Sequence, residues 1–153
     1  MKRIRDPLHG SIALTAAELA VVESRAVQRL RHIKQLGFAD QAFPGATHTR
    51  FTHALGAMEM ATRMFDAALP PDGPLSPAAR ARFRQLVRLS LLLHDVGHPP
   101  ASHSGEAAMP ARRALGLDLF SEAEQAERAT HEDFTLRFLL DSDLRRVLEA
   151  RFG

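Results

Sequence analysis

The feature that most constrains this chain is the segment from His94 to His103, which carries three imidazoles and a carboxylate directly after an apolar run. Neutral imidazole nitrogens and carboxylate oxygens suit borderline divalent ions such as iron, manganese, nickel or zinc. The apolar run predicts a buried helix end that is anchored by Leu89, Leu91, Leu92 and Leu93. Gly97 and Pro99 are expected to stop the helix just beyond Asp95. The segment therefore predicts a metal-and-phosphate site at a buried helix end.

A plainer interpretation is that His94 is a core histidine and Asp95 a helix-end carboxylate, because perturbed or buried groups are often structural. An isolated His-Asp dipeptide would favour that interpretation. Here His53 lies upstream and His131 downstream, so that five histidines fall at predicted helix ends or interiors. This clustering favours a functional site.

Composition narrows the class of protein. With 153 residues and 45% hydrophobic content, the chain is predicted to form a single domain over residues 1–153 with its own core. There is no cysteine, which excludes disulfides, thiolate zinc sites and cysteine nucleophiles, so a metal must bind through His and Asp. No membrane span or signal peptide is recognisable. We therefore expect a cytoplasmic protein with no membrane partner.

The charge balance gives no general polyanion-binding surface, because the net charge is only +2. Binding to nucleic acid is possible on this composition but is not indicated. The arginines between Arg80 and Arg88 alternate with apolar residues, which favours a solvated helix face.

Capping and periodicity predict most of the helices. Thr15-Ala-Ala-Glu18 is a capping-box pattern, which predicts a helix that runs to about Ile33 and is ended by Gly37. A second helix is predicted from about Arg50 to Leu69, and a third from Ser76-Pro77 to His94-Asp95. The second helix has a core stripe at three-four spacing: Phe51, Leu55, Met58, Thr62, Phe65 and Leu69. His53 falls on its flank and is expected to point into a cleft.

The pattern weakens from Gly105 to Ala129, where only a short helix is predicted. Thr130 then begins a further helix, and a last helix contains Leu144, Val147 and Leu148. No repeat and no strand-like alternation is visible. The predicted fold class is all-α.

Several motifs together resemble one family. They are Asp6-Pro-Leu-His-Gly10, the segment from Gln28 to Gly37, the segment from Phe43 to His53, the segment from His94 to His103, and His131. On these residues the chain resembles the HD superfamily of metal-dependent phosphohydrolases, and more closely the deoxynucleoside triphosphate triphosphohydrolases. The resemblance implies an HD-domain helical bundle.

The resemblance also implies roles for individual residues. The divalent metal ion (Mn, Fe, Ni, Zn or Mg) would be held by His53, His94 and Asp95. Arg50 would contact the phosphate next to the sugar, where a guanidinium offers paired donors, and Gln35 would lie near the sugar hydroxyl. Phosphate contact and proton transfer would fall to His98, His103 and His131, with His103 as the first choice for the catalytic acid.

One departure from the family concerns the fourth metal ligand, an Asp on a helix well beyond His131. Asp141 and Asp143 follow His131 too closely to match it, and their position at a helix start favours an N-cap role. The chain is therefore expected to resemble the first part of a larger enzyme, with a bundle incomplete at its C-terminal side. A natural short protein, a truncated form and a proteolytic fragment remain open.

A further match concerns regulation. Lys2, Glu23, Gln28 and Arg31 fall where some relatives bind a guanine nucleotide activator between subunits, which implies a homo-oligomer. The alternative is that Gln28 and Arg31 only pack or bridge helices.

Three functions are therefore open. The leading hypothesis is hydrolysis of a deoxynucleoside triphosphate (dNTP) to the deoxynucleoside and triphosphate, with Gln35 and Arg50 favouring it. The second is a nucleotide phosphomonoesterase or phosphodiesterase, because a fold does not fix its substrate. The third is a non-catalytic nucleotide-binding or assembly module that holds its metal weakly for want of the fourth ligand.

Overall fold

The structure is a computed structural model that describes residues 2–153. Two short strands precede seven α-helices in the described chain: β1 (Lys2–Asp6), β2 (Gly10–Leu14), α1 (Ala16–Val22), α2 (Arg25–Gln28), α3 (Arg50–Ala68), α4 (Pro77–Leu93), α5 (Glu122–Gln125), α6 (His131–Leu140) and α7 (Asp143–Phe152). Short 3-10 turns connect them at Arg29–His32, Ala39–Gln41, Ser102–Ala108 and Arg112–Leu115. The predicted helical class is confirmed. No helix within residues 2–153 has the length and apolar character needed to cross a membrane.

The expectation of no strands is wrong for the N-terminus. Strands β1 and β2 form an antiparallel hairpin in which Ile4 faces Ile12. Asp6 holds its turn, because Oδ1 accepts hydrogen bonds from the backbone N–H groups of Leu8 and His9 at 2.9 and 2.8 Å. Only Ile12 and Leu14 of the hairpin are buried hydrophobic residues. One apolar pair is too short a pattern to predict a strand.

The predicted single helix from Thr15 to Ile33 is also wrong in its extent. Its start is confirmed, because the Thr15 hydroxyl accepts from Glu18 N at 3.1 Å and the Glu18 carboxylate accepts from Thr15 N at 2.9 Å. Helix α1 then ends at Val22, and Ser24 caps the separate helix α2. A serine hydroxyl offers nearby backbone N–H groups an alternative partner, which favours a new helix start. Gly37 lies beyond the 3-10 turn that follows α2, and so it ends no helix.

Helices α3 and α4 pack against each other and carry much of the core, close to the predicted bounds. Thr49 caps α3, while Ser76 and Pro77 begin α4 as predicted. The buried part of the predicted stripe is Phe51, Leu55, Met58 and Thr62. These side chains meet hydrophobic residues of the hairpin, α1, α2 and the end of α4, namely Ile12, Leu14, Val21, Val27, Leu92 and Leu93.

A buried ion pair joins the first helix to the α3–α4 pair. Arg88 donates to Glu18 Oε2 at 3.2 Å, to the Thr62 hydroxyl at 2.8 Å and to the Ala13 carbonyl at 2.8 Å. Burial alone would raise the pKa of Glu18, but the hydrogen bonds and charge of Arg88 outweigh burial, and the pKa is lowered. The pair therefore ties β2, α1, α3 and α4 together.

The C-terminal helices begin as sequence rules predict, with one correction. Thr130 and Asp133 form a capping box at the start of α6. Neither Asp141 nor Asp143 caps α7, because the Ser142 hydroxyl between them accepts from Leu144 N at 3.0 Å. Leu144 is buried, so α7 closes over the core formed with α1 and α2.

Candidate metal centre and histidine cluster

A tight turn after α4 positions the first candidate residues. His94 is the C-cap of α4, and the chain then reverses through Asp95, Val96, Gly97 and His98. A Cβ added at Gly97 would lie 2.0 Å from the His131 carbonyl oxygen, so only glycine lets this turn approach α6. Gly97 N donates to the Thr135 hydroxyl at 3.0 Å. The turn is thus fixed to α6 by close backbone contact.

The structure brings together His53, His94 and Asp95, which we call the His–Asp cluster. Nε2 of His53 lies 3.3 Å from Nε2 of His94 and 3.6 Å from Asp95 Oδ2. Nε2 of His94 lies 3.4 Å from Asp95 Oδ1. These three residues could hold a metal ion, since one donor atom from each lies within 4.8 Å of the others.

The surroundings of the cluster fit a metal. The Nδ1 atom of His94 lies 2.7 Å from the Leu91 carbonyl oxygen. A hydrogen bond there places the ring proton on Nδ1 and leaves the Nε2 lone pair directed at the cluster, as the second hydrogen bond of metal-binding histidines does. Both imidazoles are partly exposed, whereas the Asp95 side chain is only 8% exposed. Solvent can therefore reach the cluster from the histidine side.

Asp95 is held as a carboxylate. Burial alone would raise its pKa, but a hydrogen bond from His98 and the charges of His94 and Arg50 outweigh burial and hold the pKa well below its usual range. Nε2 of His98 lies 3.4 Å from Asp95 Oδ1. One carboxylate therefore faces both His94 and His98.

Arg50 is directed at this carboxylate. Its side chain is buried, Nη1 donates to Asp95 Oδ2, and both Nε and Nη2 donate to the Ser102 hydroxyl, Nε at 3.1 Å. Ser102 and the preceding Ala101 both have positive φ values, 59° and 66°, which is a sparsely populated conformation for residues other than glycine. This unusual turn brings Ser102 to Arg50, and sequence reasoning missed it. The predicted phosphate contact of Arg50 stays a prediction, because its donors face protein groups here.

Gln35 lies beside Arg50. Its backbone oxygen accepts from the Ser102 hydroxyl at 3.0 Å and from Arg50 Nη2 at 3.4 Å. Its side-chain Oε1 is buried and has no hydrogen-bond partner among residues 2–153. A buried acceptor without a donor costs free energy.

The other predicted histidines meet in a second group, which we call the histidine cluster: His98, His103, Glu106 and His131. The rings of His98 and His131 stack with centroids 3.7 Å apart and planes 17° apart. Glu106 Oε1 lies 3.0 Å from Nδ1 of His103 and 2.6 Å from Nδ1 of His131. Sequence reasoning missed Glu106, although its position three residues after His103 could have indicated the pair.

Burial and pairing set the charges in this region. Burial lowers the pKa values of His53 and His98, although the neighbouring Asp95 opposes it. For Glu106, burial raises the pKa, but hydrogen bonds from His131 and His103 outweigh it and the pKa is lowered. The region therefore combines the ionised carboxylates of Asp95 and Glu106 with two imidazoles, His53 and His98, whose protonation burial opposes.

The four predicted effector residues lie in two contacting pairs near the N-terminus. Lys2 Nζ is 3.6 Å from the Glu23 carboxylate, and Arg31 donates to Gln28 Oε1 at 2.8 Å. The Gln28 amide donates to the Val22 carbonyl at 2.7 Å, and the Arg31 guanidinium stacks on Phe51. These contacts match the alternative in which Gln28 and Arg31 bridge helices, and they leave the nucleotide-binding role a prediction.

Comparison with known proteins agrees with the geometry. The HD domain model matches residues 50–150. An uncharacterised protein of Methanocaldococcus jannaschii is 39% identical over 132 residues, which is 81% of this chain and 27% of that protein. The deoxynucleoside triphosphate triphosphohydrolase SAMHD1 of Homo sapiens is 40% identical over 105 residues, which is 67% of this chain and 16% of that protein.

A solved structure is similar as well. A hypothetical protein from Aquifex aeolicus superposes with a TM-score of 0.72 and 34% identity, over 99% of this chain and 34% of that one. The chain thus spans about a third or less of the length of these relatives. Residues 50–150, which the HD domain model matches, include both clusters described above. The chain belongs to the HD-domain family.

Proposed function

We propose that this chain is the N-terminal portion of an HD-type domain of a metal-dependent phosphohydrolase that hydrolyses dNTPs to the deoxynucleoside and triphosphate. The observation that carries the proposal is that Asp95 faces both the His–Asp cluster and the histidine cluster. A metal site and a proton-transfer site therefore adjoin through one carboxylate. Family membership supports the coarser function, a hydrolase that uses a divalent metal ion.

His53, His94 and Asp95 would hold the ion. Borderline divalent ions fit two imidazoles and one carboxylate. When bound, such an ion supplies Lewis-acid chemistry, because it polarises a phosphoryl oxygen and makes water a stronger nucleophile. Asp95 is already ionised and His53 resists protonation, so these ligands need little proton release before they bind a cation near neutral pH.

The histidine cluster would hold and move protons. Glu106 accepts from Nδ1 of His103, which leaves Nε2 of that exposed ring free for a substrate or its leaving group. This is the arrangement in which a carboxylate orients a histidine acid or base. His131 would contact phosphate oxygens. His98, predicted for the same role, is buried with its Nε2 facing Asp95, and it would act through that carboxylate.

The deoxynucleotide substrate rests on two supports. The first is the similarity to a relative named as a deoxynucleoside triphosphate triphosphohydrolase. The second is the unpaired buried Oε1 of Gln35 beside Arg50, because a sugar hydroxyl is a donor that would satisfy it. Arg50 would have to exchange part of its contact with Asp95 or Ser102 for a phosphate oxygen.

The same proposal extends to regulation and assembly. Lys2, Glu23, Gln28 and Arg31 would contact a guanine nucleotide at a contact between subunits of a homo-oligomer. Their two pairs are joined through Val22 and Glu23, which are neighbours in the chain. The four side chains would therefore contact the same nucleotide.

A non-catalytic nucleotide-binding module is the second candidate, and the donor set of the His–Asp cluster favours it. Three protein ligands leave the ion less firmly held than four would. We expect the 153-residue chain alone to turn over dNTPs slowly, and a longer form with a downstream Asp ligand to be faster.

The deciding experiment is product analysis with the purified chain. The protein would be loaded in turn with Mn²⁺, Fe²⁺, Ni²⁺, Zn²⁺ and Mg²⁺ and incubated with each dNTP, and products would be separated by anion-exchange chromatography. Deoxynucleoside and triphosphate in equal amounts support the proposal, and loss of both in Asp95→Ala ties them to the site. Monophosphate or inorganic phosphate would instead favour the phosphoesterase. Nucleotide binding without any product, even in a longer form, would favour the non-catalytic module.

A further inference from the structure

Arg29 lies beneath the turn that carries Asp95 and His98. Its Nη1 donates to the His98 carbonyl at 2.8 Å, and its Nη2 donates to the carbonyls of Val96 and His98 at 2.8 and 2.7 Å. The guanidinium also lies 5.1 Å from the ring centroid of Phe138 in α6. One side chain from the 3-10 turn after α2 therefore binds two carbonyl oxygens of the candidate site, those of Val96 and His98.

In the described chain, the charge of Arg29 faces carbonyl dipoles and the Phe138 ring, and it has no counter-ion. Within residues 2–153 its hydrogen bonds go to carbonyl oxygens and none goes to a carboxylate, and its Nε has no partner. Burying part of a charge without a counter-ion costs free energy, so no ion pair explains an arginine here. What the guanidinium gains instead are three hydrogen bonds to carbonyls of the turn.

The opposite side of the same turn is held by Thr135. Its hydroxyl accepts from Gly97 N at 3.0 Å and lies 3.2 Å from the His94 carbonyl oxygen. Of the five positions from His94 to His98, Arg29 and Thr135 together bind backbone groups of every one except Asp95. The side chain of Asp95 is thus aimed by a backbone fixed on both sides of it.

We propose that Arg29 is a positioning residue, which fixes the carbonyls of Val96 and His98 so that His98 keeps its Nε2 directed at Asp95. A guanidinium suits this task because its rigid fork offers several parallel donors to two oxygens, whereas an ammonium is a single point charge. The importance of this role for turnover rests on the proposed function, but the geometric claim does not.

The test compares Arg29→Met, which keeps length and removes charge and donors, with Arg29→Lys, which keeps the charge and loses the fork. Leu14→Ala is the control, because it truncates a buried side chain that belongs to β2 and not to the turn. The readouts are the ring-nitrogen NMR signals of His98, which report its tautomer, and the affinity for Zn²⁺ measured by calorimetry. Neither readout requires substrate.

We expect one His98 tautomer, protonated at Nε2, in the wild type and in Leu14→Ala. In Arg29→Met the signals should average between tautomers, and Zn²⁺ affinity should fall about 10- to 100-fold, as when outer-shell partners of metal ligands are removed. Arg29→Lys should give His98 signals and a Zn²⁺ affinity between those of the wild type and Arg29→Met. If Arg29→Met does not fold, Arg29→Lys decides by the same two readouts.

The proposal is overturned if the His98 ring-nitrogen signals and the Zn²⁺ affinity stay at wild-type values in the Arg29 variants. It is also overturned if Leu14→Ala changes both readouts by the same amount. A longer form with a downstream Asp ligand that binds metal but yields no hydrolysis product would defeat the proposed function alone. The tautomer of His98 would still decide the role of Arg29.

Discussion

Glu106 Oε1 lies 2.6 Å from Nδ1 of His131, although the two residues belong to separate elements. The same oxygen also faces Nδ1 of His103 at 3.0 Å. A single carboxylate therefore orients two imidazoles of the histidine cluster.

Glu106→Gln should keep the shape of the side chain and lose its charge, so we expect kcat to fall about 100-fold or more while bound metal is retained. Steady-state kinetics and elemental analysis check this, with Glu122→Gln as the exposed control. Unchanged kcat would remove Glu106 from the site.

Asp95→Ala should abolish stoichiometric metal binding, because it removes the one carboxylate of the His–Asp cluster. Elemental analysis after gel filtration measures the metal content, and Asp141→Ala provides an exposed acidic control. An unchanged metal-to-protein ratio in Asp95→Ala would show that the ion binds elsewhere.

Arg50→Lys tests a role that the structure modifies. The resemblance alone predicts that lysine keeps the metal and weakens nucleotide binding. Because Arg50 donates to Asp95 and Ser102 at once, we now expect lysine to weaken the binding of both metal and nucleotide. Calorimetric titration with Mn²⁺, followed by a non-hydrolysable dNTP analogue, separates the two effects. Wild-type metal affinity in Arg50→Lys would show that the contact with Asp95 does not support the site.

The stability of the metal-free protein should depend on pH through its buried histidines. Burial lowers the pKa values of His53 and His98 below their ordinary value of 6.5, so the folded state binds fewer protons than the unfolded state. Their contribution is fully present above pH 6.5 and is lost as pH falls through the lowered pKa values. The lowered pKa of Glu106 affects stability only at more acidic pH, below the ordinary Glu value of 4.5. Thermal unfolding from pH 8 to pH 5 should therefore show a falling Tm, and His98→Gln should flatten the curve. A Tm that rises on acidification would contradict this sign.

The buried pair of Arg88 and Glu18 should show the cost of an isolated buried charge. Arg88→Met should destabilise the fold by about 3–5 kcal/mol, because Glu18 stays buried without its partner. The double variant Arg88→Met, Glu18→Leu should recover much of that loss. Urea unfolding measures both, and Arg137→Ala, which breaks an exposed pair with Asp141, should cost less than about 1 kcal/mol. An equal loss of unfolding free energy in Arg88→Met and Arg137→Ala would refute the argument from burial.

Sequence by itself determined the features that depend on neighbouring residues. Thr15, Ser76 and Thr130 begin helices where predicted, because each hydroxyl accepts a hydrogen bond from a backbone N–H three residues away. The spacing of Phe51, Leu55 and Met58 predicted the buried face of α3 because helical geometry repeats every 3.6 residues. His53, His94 and Asp95 were also named from sequence, through motif resemblance, and the fold brings them together.

Only the tertiary structure decided the features that depend on distant partners. The hairpin exists because Ile12 and Leu14 find a core built by other helices, and Arg50 faces Asp95 because the strained turn at Ala101 and Ser102 closes around it. Glu106 and Arg29 received no role from sequence, because the contact of Glu106 with His131 and that of Arg29 with the His98 carbonyl join residues far apart in the chain. Local pattern fixes where helices begin and which face is apolar. Long-range packing then selects which polar groups meet in the site, and no local rule encodes that choice.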